Sequence, residues 1–410
     1  MKKEFLISGL LLLVVWLGGC RAPQQPTVQV LDYDRPLPPG ELALRKITDP
    51  AMIPDFTSAC YDVTDLRQAV AHSQNYLRKP SSRQFFPYGD ITHERALASL
   101  QAFAELLDSG LLGRDLAAKI RDMFDVYISV GCDSKGTVLF TGYYTPIFEG
   151  SLQRTEKFQY PLYKQPADLV KTEDGTILGR RQADGTLTPY PSRSELMMSG
   201  ELVGSELVWL SDPFEVYVAH VQGSAKIRLP DGRLITVGYA ANNGHEYKSI
   251  ARKMVSDGVM RSDQISLKAM IDYFKARPGE AERYIAQNQR FVFFQMSQGD
   301  PRGSLNEPVI AMRTIATDKS IYPRGSLAFL STELPGIADG TLKRKFTGFA
   351  LDQDTGGAIR APGRCDIYMG VGDDAGRRAG HTYQEGRLYY LFLKPTVNAG
   401  KYLAPGSAAN

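Results

Sequence analysis

The chain lacks several features that would have pointed to common function classes. It carries four cysteines in 410 residues. Three of them, Cys60, Cys132 and Cys365, have spacings that fit no metal-ligand pattern. An oxidising compartment would permit a Cys60–Cys132 disulfide, and two buried thiols remain an equal alternative. Excess charge of one sign is also missing. Lys and Arg total 48 against 45 Asp and Glu, a formal net charge of +3. With no Lys/Arg block either, nucleic acid is not expected as a partner. Neither a nucleotide-binding fingerprint nor a metal constellation occurs, so no cofactor and no metal are expected. Long hydrophobic runs are absent too. The longest, Phe5 to Leu17, falls short of the about 20 apolar residues that a membrane span needs.

That short run reads as the core of a secretory signal covering residues 1–19. Lys2 and Lys3 precede it, and Leu17-Gly18-Gly19-Cys20 closes it. This ending resembles a bacterial lipobox, which implies acylation at Cys20 and a membrane anchor. Arg21 follows the Cys where an Asp would signal inner-membrane retention. The periplasmic face of the outer membrane is therefore the expected location. Residues 20–40 are Pro-rich and polar and read as a tether.

The remainder is long for one core and suggests two domains. The hydrophobic share of 43% and charged share of 23% are ordinary for a globular protein. Asp62 or Thr64 is placed to cap a helix running to about Arg78. A second helical pattern spans Thr92 to Leu107 with Gly110 as its stop, and a third spans Leu116 to Phe124. From Gly136 to Tyr144 the chain turns β-branched and aromatic, a strand signature broken by Thr145-Pro146. Further strand-like runs are Glu206–Leu210, Phe214–His220, Ala225–Leu229 and Arg233–Tyr239. The last two flank the turn signal Pro230-Asp231-Gly232. Helical pattern returns from Tyr247 to Asn288, and Phe291–Phe294 opens a second β-rich block that runs to Leu393. The expected division is a main domain formed by residues 41–145 and 288–397, with residues 146–287 inserted and 398–410 a tail. The cleft between the two parts is the natural place for chemistry.

The chemistry-bearing stretch is Leu351 to Gly370, which sets Asp354 and Asp366 on either side of a Gly/Pro-rich turn. Asp354-Thr355-Gly356 is the tripeptide of aspartic proteases, but that mechanism needs a second such turn and the chain has none. A glycosidase would use the two carboxylates as acid and base or nucleophile. A lytic transglycosylase needs only one acid. It protonates the leaving oxygen, then takes the proton of the sugar's own C6 hydroxyl as that closes onto C1. Asp352, inside a strand-like run, reads as structural. Asp366 has Ile367, Tyr368 and Met369 beside it, apolar neighbours that would raise its pKa.

Several motifs in fixed order resemble the membrane-bound lytic murein transglycosylase A family. They are Phe140–Pro146, Pro191–Glu195, Val221–Ser224, Gly238–Ile250 and Asn288–Phe294. Three aspartates of a C-terminal "3D" module join them: Asp318, Asp354 and Asp366. The resemblance implies an α+β fold, mainly β. A double-psi β-barrel would carry a smaller, inserted β-barrel-like domain, with a glycan-binding groove between them. It implies an exo-acting lyase that cleaves the β-1,4 MurNAc–GlcNAc bond of peptidoglycan and leaves 1,6-anhydroMurNAc ends. Asp366 matches the catalytic aspartate, and Asp354 would support it. Thr141, Tyr143, Thr145, Gln222, Ser224, Tyr239 and Asp318 are the expected substrate contacts. His245 is a weaker candidate, and Arg193 and Glu195 are expected to pair or to start a helix. Peptidoglycan strands are the expected partner, together with a possible wall-remodelling protein complex. Two alternatives stand beside this reading: a lysozyme-like hydrolase using Asp354 and Asp366, and a lipoprotein that binds peptidoglycan without cleaving it.

Overall fold

The computed structural model describes residues 31–172, 175–261, 264–265, 267–336 and 342–397. The signal segment, Cys20 and the tail from 398 lie outside them. The chain opens with β1 (Leu44–Lys46), α1 (Leu66–Arg78), α2 (His93–Asp108), α3 (Gly113–Met123), β2 (Phe124–Ser129) and β3 (Val138–Thr145). There follow β4 (Ile147–Ser151), β5 (Tyr160–Tyr163), β6 (Leu169–Lys171), β7 (Ile177–Arg181), β8 (Leu187–Thr188), α4 (Arg193–Ser199) and β9 (Glu206–Leu210). Next come α5 (Pro213–Gln222), β10 (Ser224–Arg228), β11 (Leu234–Asn242), α6 (Ile250–Ser256), α7 (Leu267–Ala276), α8 (Pro278–Ile285) and β12 (Val292–Ser297). The last part holds β13 (Thr314–Ala316), β14 (Leu327–Pro335), β15 (Lys343–Asp354), β16 (Arg364–Val371), α9 (Asp373–His381) and β17 (Tyr383–Leu393).

Local chemistry explains most of these boundaries. Thr92 caps α2, its hydroxyl accepting the Arg95 N–H at 3.1 Å. Ser192 and Glu195 form a reciprocal capping box at the start of α4, so the Pro191–Glu195 motif is a helix start. The β10–β11 hairpin turns at Gly232, φ 85°, while Asp231 accepts the Arg233 N–H at 3.0 Å. Two expectations fail. Helix α1 is capped by neither Asp62 nor Thr64: its N-cap is Asp65, at φ 58° with no side-chain bond. Phe214–His220 is not a strand but lies within α5. Asp212 caps that helix at 2.7 Å, Pro213 fits its first turn, and Gly223 ends it in the left-handed region. Those punctuation residues outweigh the β-branched content between them.

Six strands close on themselves in the order β17-β14-β15-β13-β16-β3, and β3 pairs back with β17. Two of the pairs, β13–β15 and β16–β3, are parallel. This is the expected double-psi barrel, and β2 and β1 extend it beyond β17. Helices α1 and α2 bury apolar faces against it. Phe103 of α2 lies 5.3 Å from Phe349 of β15, and Phe56, in the segment before α1, meets Phe329 of β14 edge-on at 4.8 Å. Each fully buried aromatic of this kind contributes roughly 1.5–3 kcal/mol. Cys60, Cys132 and Cys365 are buried free thiols, so the Cys60–Cys132 pairing is not formed.

The insert is a second sheet, β12-β11-β10-β4-β9-β5. A parallel bridge between Lys164 and Phe294 brings its two edges together, which gives the barrel-like form. It has its own apolar core, including Phe214, Phe274, Tyr284 and Val237. The domain boundary expected after Gln287 moves, because β12 pairs with β11 through Ser297. The apolar run at Phe291–Phe294 therefore belongs to the insert sheet, and the chain returns to the barrel after it. The expected β-rich block is also interrupted by α9. Asp373 and Asp374 in its first turn and His381 in its last suit the helix dipole.

Candidate active site

Backbone register assembles the site. Strand β13 lies between β15 and β16, and Ala316 is the register partner of Asp354 on one side and Asp366 on the other. On the far side of β16, Asp366 pairs with Thr141 of β3. Thr141, Asp366, Ala316 and Asp354 thus form one rung across four strands. Strand spacing sets the Cα atoms of the two aspartates about 10 Å apart, with only a methyl side chain between them. The β13–β15 register shifts between Ile315 and Ala316, an irregularity of the kind that re-aims side chains beside active sites.

The two carboxyls have opposite surroundings. Asp354 accepts three hydrogen bonds. The Tyr143 hydroxyl donates to Oδ2 at 2.8 Å, and the Ser304 and Thr355 N–H groups donate to Oδ1, each at 2.8 Å. Burial raises its pKa, and these three donors pull it back toward the anion. Asp366 has weaker support. Its Oδ1 is buried without a hydrogen-bond partner, as is the Thr141 hydroxyl oxygen. Burial pushes the Asp366 carboxyl up to about 7, with Arg364 and Thr141 opposing and Asp354 adding a little. Three donors favour the Asp354 anion against its burial, while the Asp366 carboxyl, raised to about 7, has weaker opposition to its burial. This divergence separates a charge stabiliser from an acid.

The remaining expected residues divide into two groups. Tyr143 belongs to the site through Asp354, and its ring lies 5.1 Å from that of Tyr368. Gln222 reaches the same region: its side-chain oxygen accepts the Tyr144 N–H at 3.0 Å. It ends helix α5. Tyr239 is 40% exposed and accepts from Asn242 at 2.6 Å. Thr145 and Ser224 are both buried. Thr145 is fully buried, and its hydroxyl lies 3.2 Å from that of Ser224 and 2.9 Å from that of Tyr368. Together they brace the crossing from barrel to insert. Asp318 is occupied as well. Its oxygens accept the Ser320 N–H and hydroxyl and the Ala361 N–H, at 3.1, 2.6 and 3.1 Å. It holds the turn that leads into β16. Asp352, read as structural, is fully buried against Lys319, Thr317 and Tyr390.

Other partners are visible only in three dimensions. Gly303 lies so close to β15 that a Cβ there would stand 2.8 Å from the Gln353 carbonyl oxygen and 3.1 Å from Asp354 Cγ. This contact lets the next residue, Ser304, donate to Asp354. A glycine followed by a serine was the sole signal in the sequence. Arg290 of the insert comes against the Gly356-Gly357 turn, 3.1 Å from where a Gly357 Cβ would be. Arg193 does not pair with Glu195. It is buried, donating to the Asn288 and Arg290 carbonyls at 2.8 and 2.6 Å and contacting His220 at 3.0 Å. His245 bonds the Tyr190 carbonyl at 2.8 Å. Among the described residues, no cluster of three or more His, Cys, Asp or Glu is arranged to hold a metal ion.

Comparison with known proteins agrees with this architecture. Residues 139–295 match the MltA specific insert domain, and residues 313–392 match the 3D domain. A membrane-bound lytic murein transglycosylase A of Escherichia coli strain K12 is 30% identical over 279 residues, covering 66% of this chain and 70% of that protein. A protein of the same name from Vibrio cholerae is 31% identical over 281 residues, covering 67% and 71%. The crystal structure of E. coli MltA with bound chitohexaose superposes with a TM-score of 0.65 at 25% identity, over 90% of this chain and 100% of that one. The Agrobacterium tumefaciens membrane-bound lytic murein transglycosylase, at 24% identity, shares the fold with a TM-score of 0.71 over 88% of this chain and 99% of its own. With its insert, its 3D barrel and its paired aspartates in place, the chain belongs to the membrane-bound lytic murein transglycosylase A family.

Proposed function

We propose that Asp366 alone performs both proton transfers of a non-hydrolytic cleavage of peptidoglycan. Family membership makes the chain a peptidoglycan lytic transglycosylase, a lyase. The observation that carries the single-acid reading is the contrast between the unpartnered Asp366 oxygen and the three-donor Asp354 carboxylate.

The neutral Asp366 carboxyl gives its proton to the glycosidic oxygen of the β-1,4 MurNAc–GlcNAc bond, and the bond from that oxygen to C1 breaks. Positive charge grows on C1 and the ring oxygen, and the Asp354 anion stabilises it. The MurNAc C6 hydroxyl closes onto C1 and surrenders its proton to the Asp366 carboxylate. Asp366 is thereby restored, no water is consumed, and the product carries a 1,6-anhydro ring. The three donors fix the Asp354 carboxylate in place and suit it to the part of a charge stabiliser.

The Thr141 hydroxyl, the Gln222 amide and the exposed Tyr239 ring are the sugar contacts in this reading. Thr145, Ser224 and Asp318 hold the scaffold behind them. An acylated Cys20 would tether the enzyme to the outer membrane on its periplasmic face. No helix among the described residues is long and apolar enough to cross a membrane.

The test is digestion of purified sacculi by wild type and by a folded Asp366→Asn variant. Soluble muropeptides lighter by one water than reducing ends, released by wild type only, support the reading. Reducing ends would mean a hydrolase, and no release by wild type would mean a binding lipoprotein. Wild-type turnover by Asp366→Asn would remove the acid assignment.

A further inference from the structure

The described end of the expected tether, residues 31–40, does more than connect. Tyr33, Asp34 and Arg35 lie along the barrel. The Tyr33 hydroxyl donates to Glu385 at 2.6 Å, and Arg35 donates to the Ser134 hydroxyl at 2.8 Å. The Tyr33 carbonyl packs so tightly on the turn before β16 that a Cβ at Gly363 would stand 2.5 Å from it. Between these contacts Asp34 holds two arginines. Its Oδ2 meets Arg252 of helix α6 in the insert at 2.7 Å, and its Oδ1 meets Arg364 of β16 at 3.3 Å.

Arg364 and Asp366 are two residues apart on β16, so their side chains share a face. Both are half-buried, and Cys365 between them is sealed on the other side. The Arg364 side chain is 12% exposed and its Nε is buried without a partner. Asp34 is its ion-pair partner among the described residues. The titratable groups around this face are Asp354, Tyr143 and Cys365 from the barrel, Tyr247 and Arg252 from the insert, and Tyr383 at the start of β17. Two further carboxylates lie near: Asp354, which three donors already hold, and Asp352 behind Cys365, which Lys319, Thr317 and Tyr390 hold. A guanidinium freed from Asp34 would therefore find the unpartnered oxygen of Asp366, and a carboxylate so paired is no longer an acid at neutral pH.

We propose that Asp34 is a positioning residue: by binding Arg364 and tying it to Arg252 of the insert, it keeps that cation from closing onto Asp366. The C-terminal end of the expected tether thus conditions the acid. The inference rests on the reading of Asp366 as that acid.

The test is the pH profile of kcat/KM on sacculi for full-length wild type, Asp34→Asn, Asp34→Glu and the double variant Asp34→Asn/Arg364→Gln, with Asp366→Asn in parallel. Expected for Asp34→Asn is an alkaline limb lowered by about one unit, with a several-fold loss at pH 7. Asp34→Glu should restore the limb, and the double variant should bring it to the wild-type position or above, because Arg364 no longer lowers the Asp366 pKa. An Asp34→Asn limb at its wild-type position, or a loss that removing Arg364 does not reverse, would overturn the inference and leave Asp34 a brace. An inactive Asp366→Asn beside an unshifted Asp34→Asn profile would overturn the inference alone. An active Asp366→Asn would overturn the acid assignment and the inference with it.

Discussion

Tyr143 donates its hydroxyl to Asp354 Oδ2 across 2.8 Å, from the strand that leaves the barrel to the strand that ends at the site. The phenol's own pKa is driven up, first by burial and then by the Asp354 charge, so it remains a donor throughout the working pH range. A hydrogen bond to a charged group contributes about 1.5–3 kcal/mol. If it is retained in the transition state, its loss is worth roughly 10- to 100-fold in rate. Tyr143→Phe should lower kcat/KM on sacculi by that factor with an unchanged circular dichroism spectrum. A wild-type rate would mean that Asp354 needs no such support.

Activity should follow the Asp366 proton. Its pKa is pushed up to about 7 by burial, so kcat/KM should fall tenfold per unit above that value. The same shift has a stability consequence. A carboxyl whose folded pKa exceeds its unfolded value stabilises the protein fully below about pH 4, and that contribution fades as pH rises through 7. Asp366→Asn should therefore match wild type in thermal denaturation near pH 4 and exceed it at pH 8. The gain should be on the order of 1–2 kcal/mol, less than full linkage because the carboxyl is only half-buried.

Gly303→Ala tests the loop that supplies the Ser304 N–H. Its new methyl would collide with the Gln353 carbonyl and crowd Asp354, an overpacking cost of about 1–3 kcal/mol. The loop should retreat and take one donor from Asp354. Activity should drop about tenfold or more, while the barrel keeps most of its thermal stability. Assaying kcat beside thermal denaturation separates the two effects.

Asp352→Asn should do the reverse. This carboxylate is fully buried and paired with Lys319, Thr317 and Tyr390. Breaking such a pair leaves an uncompensated cation and costs about 3–5 kcal/mol. Chemical denaturation should register that loss, while kcat per folded molecule stays within a few-fold of wild type.

The sequence was most readable where a few adjacent residues decide a structure. Thr92, Ser192 with Glu195, and Pro230-Asp231-Gly232 each carry their own hydrogen-bonding chemistry. Asp354 and Asp366 stood out because the turn between them and the apolar neighbours of Asp366 are local features. Phe214–His220 misled because its side chains favour a strand while Asp212, Pro213 and Gly223 impose a helix. The bonding partners of Thr145, Ser224 and Asp318 could not be read at all. Which polar atoms satisfy one another across 43 to 223 residues of chain is decided by packing. The same holds for Asp34, whose partners lie 218 and 330 residues away.

The most direct measurement is digestion of purified sacculi in water enriched in heavy oxygen, with mass analysis of every new chain end. Expected are bicyclic sugar termini that contain none of the label, since the ring-closing oxygen comes from the substrate itself. Open reducing termini carrying the label would show that solvent attacked the sugar, and would contradict the assignment of both proton transfers to Asp366.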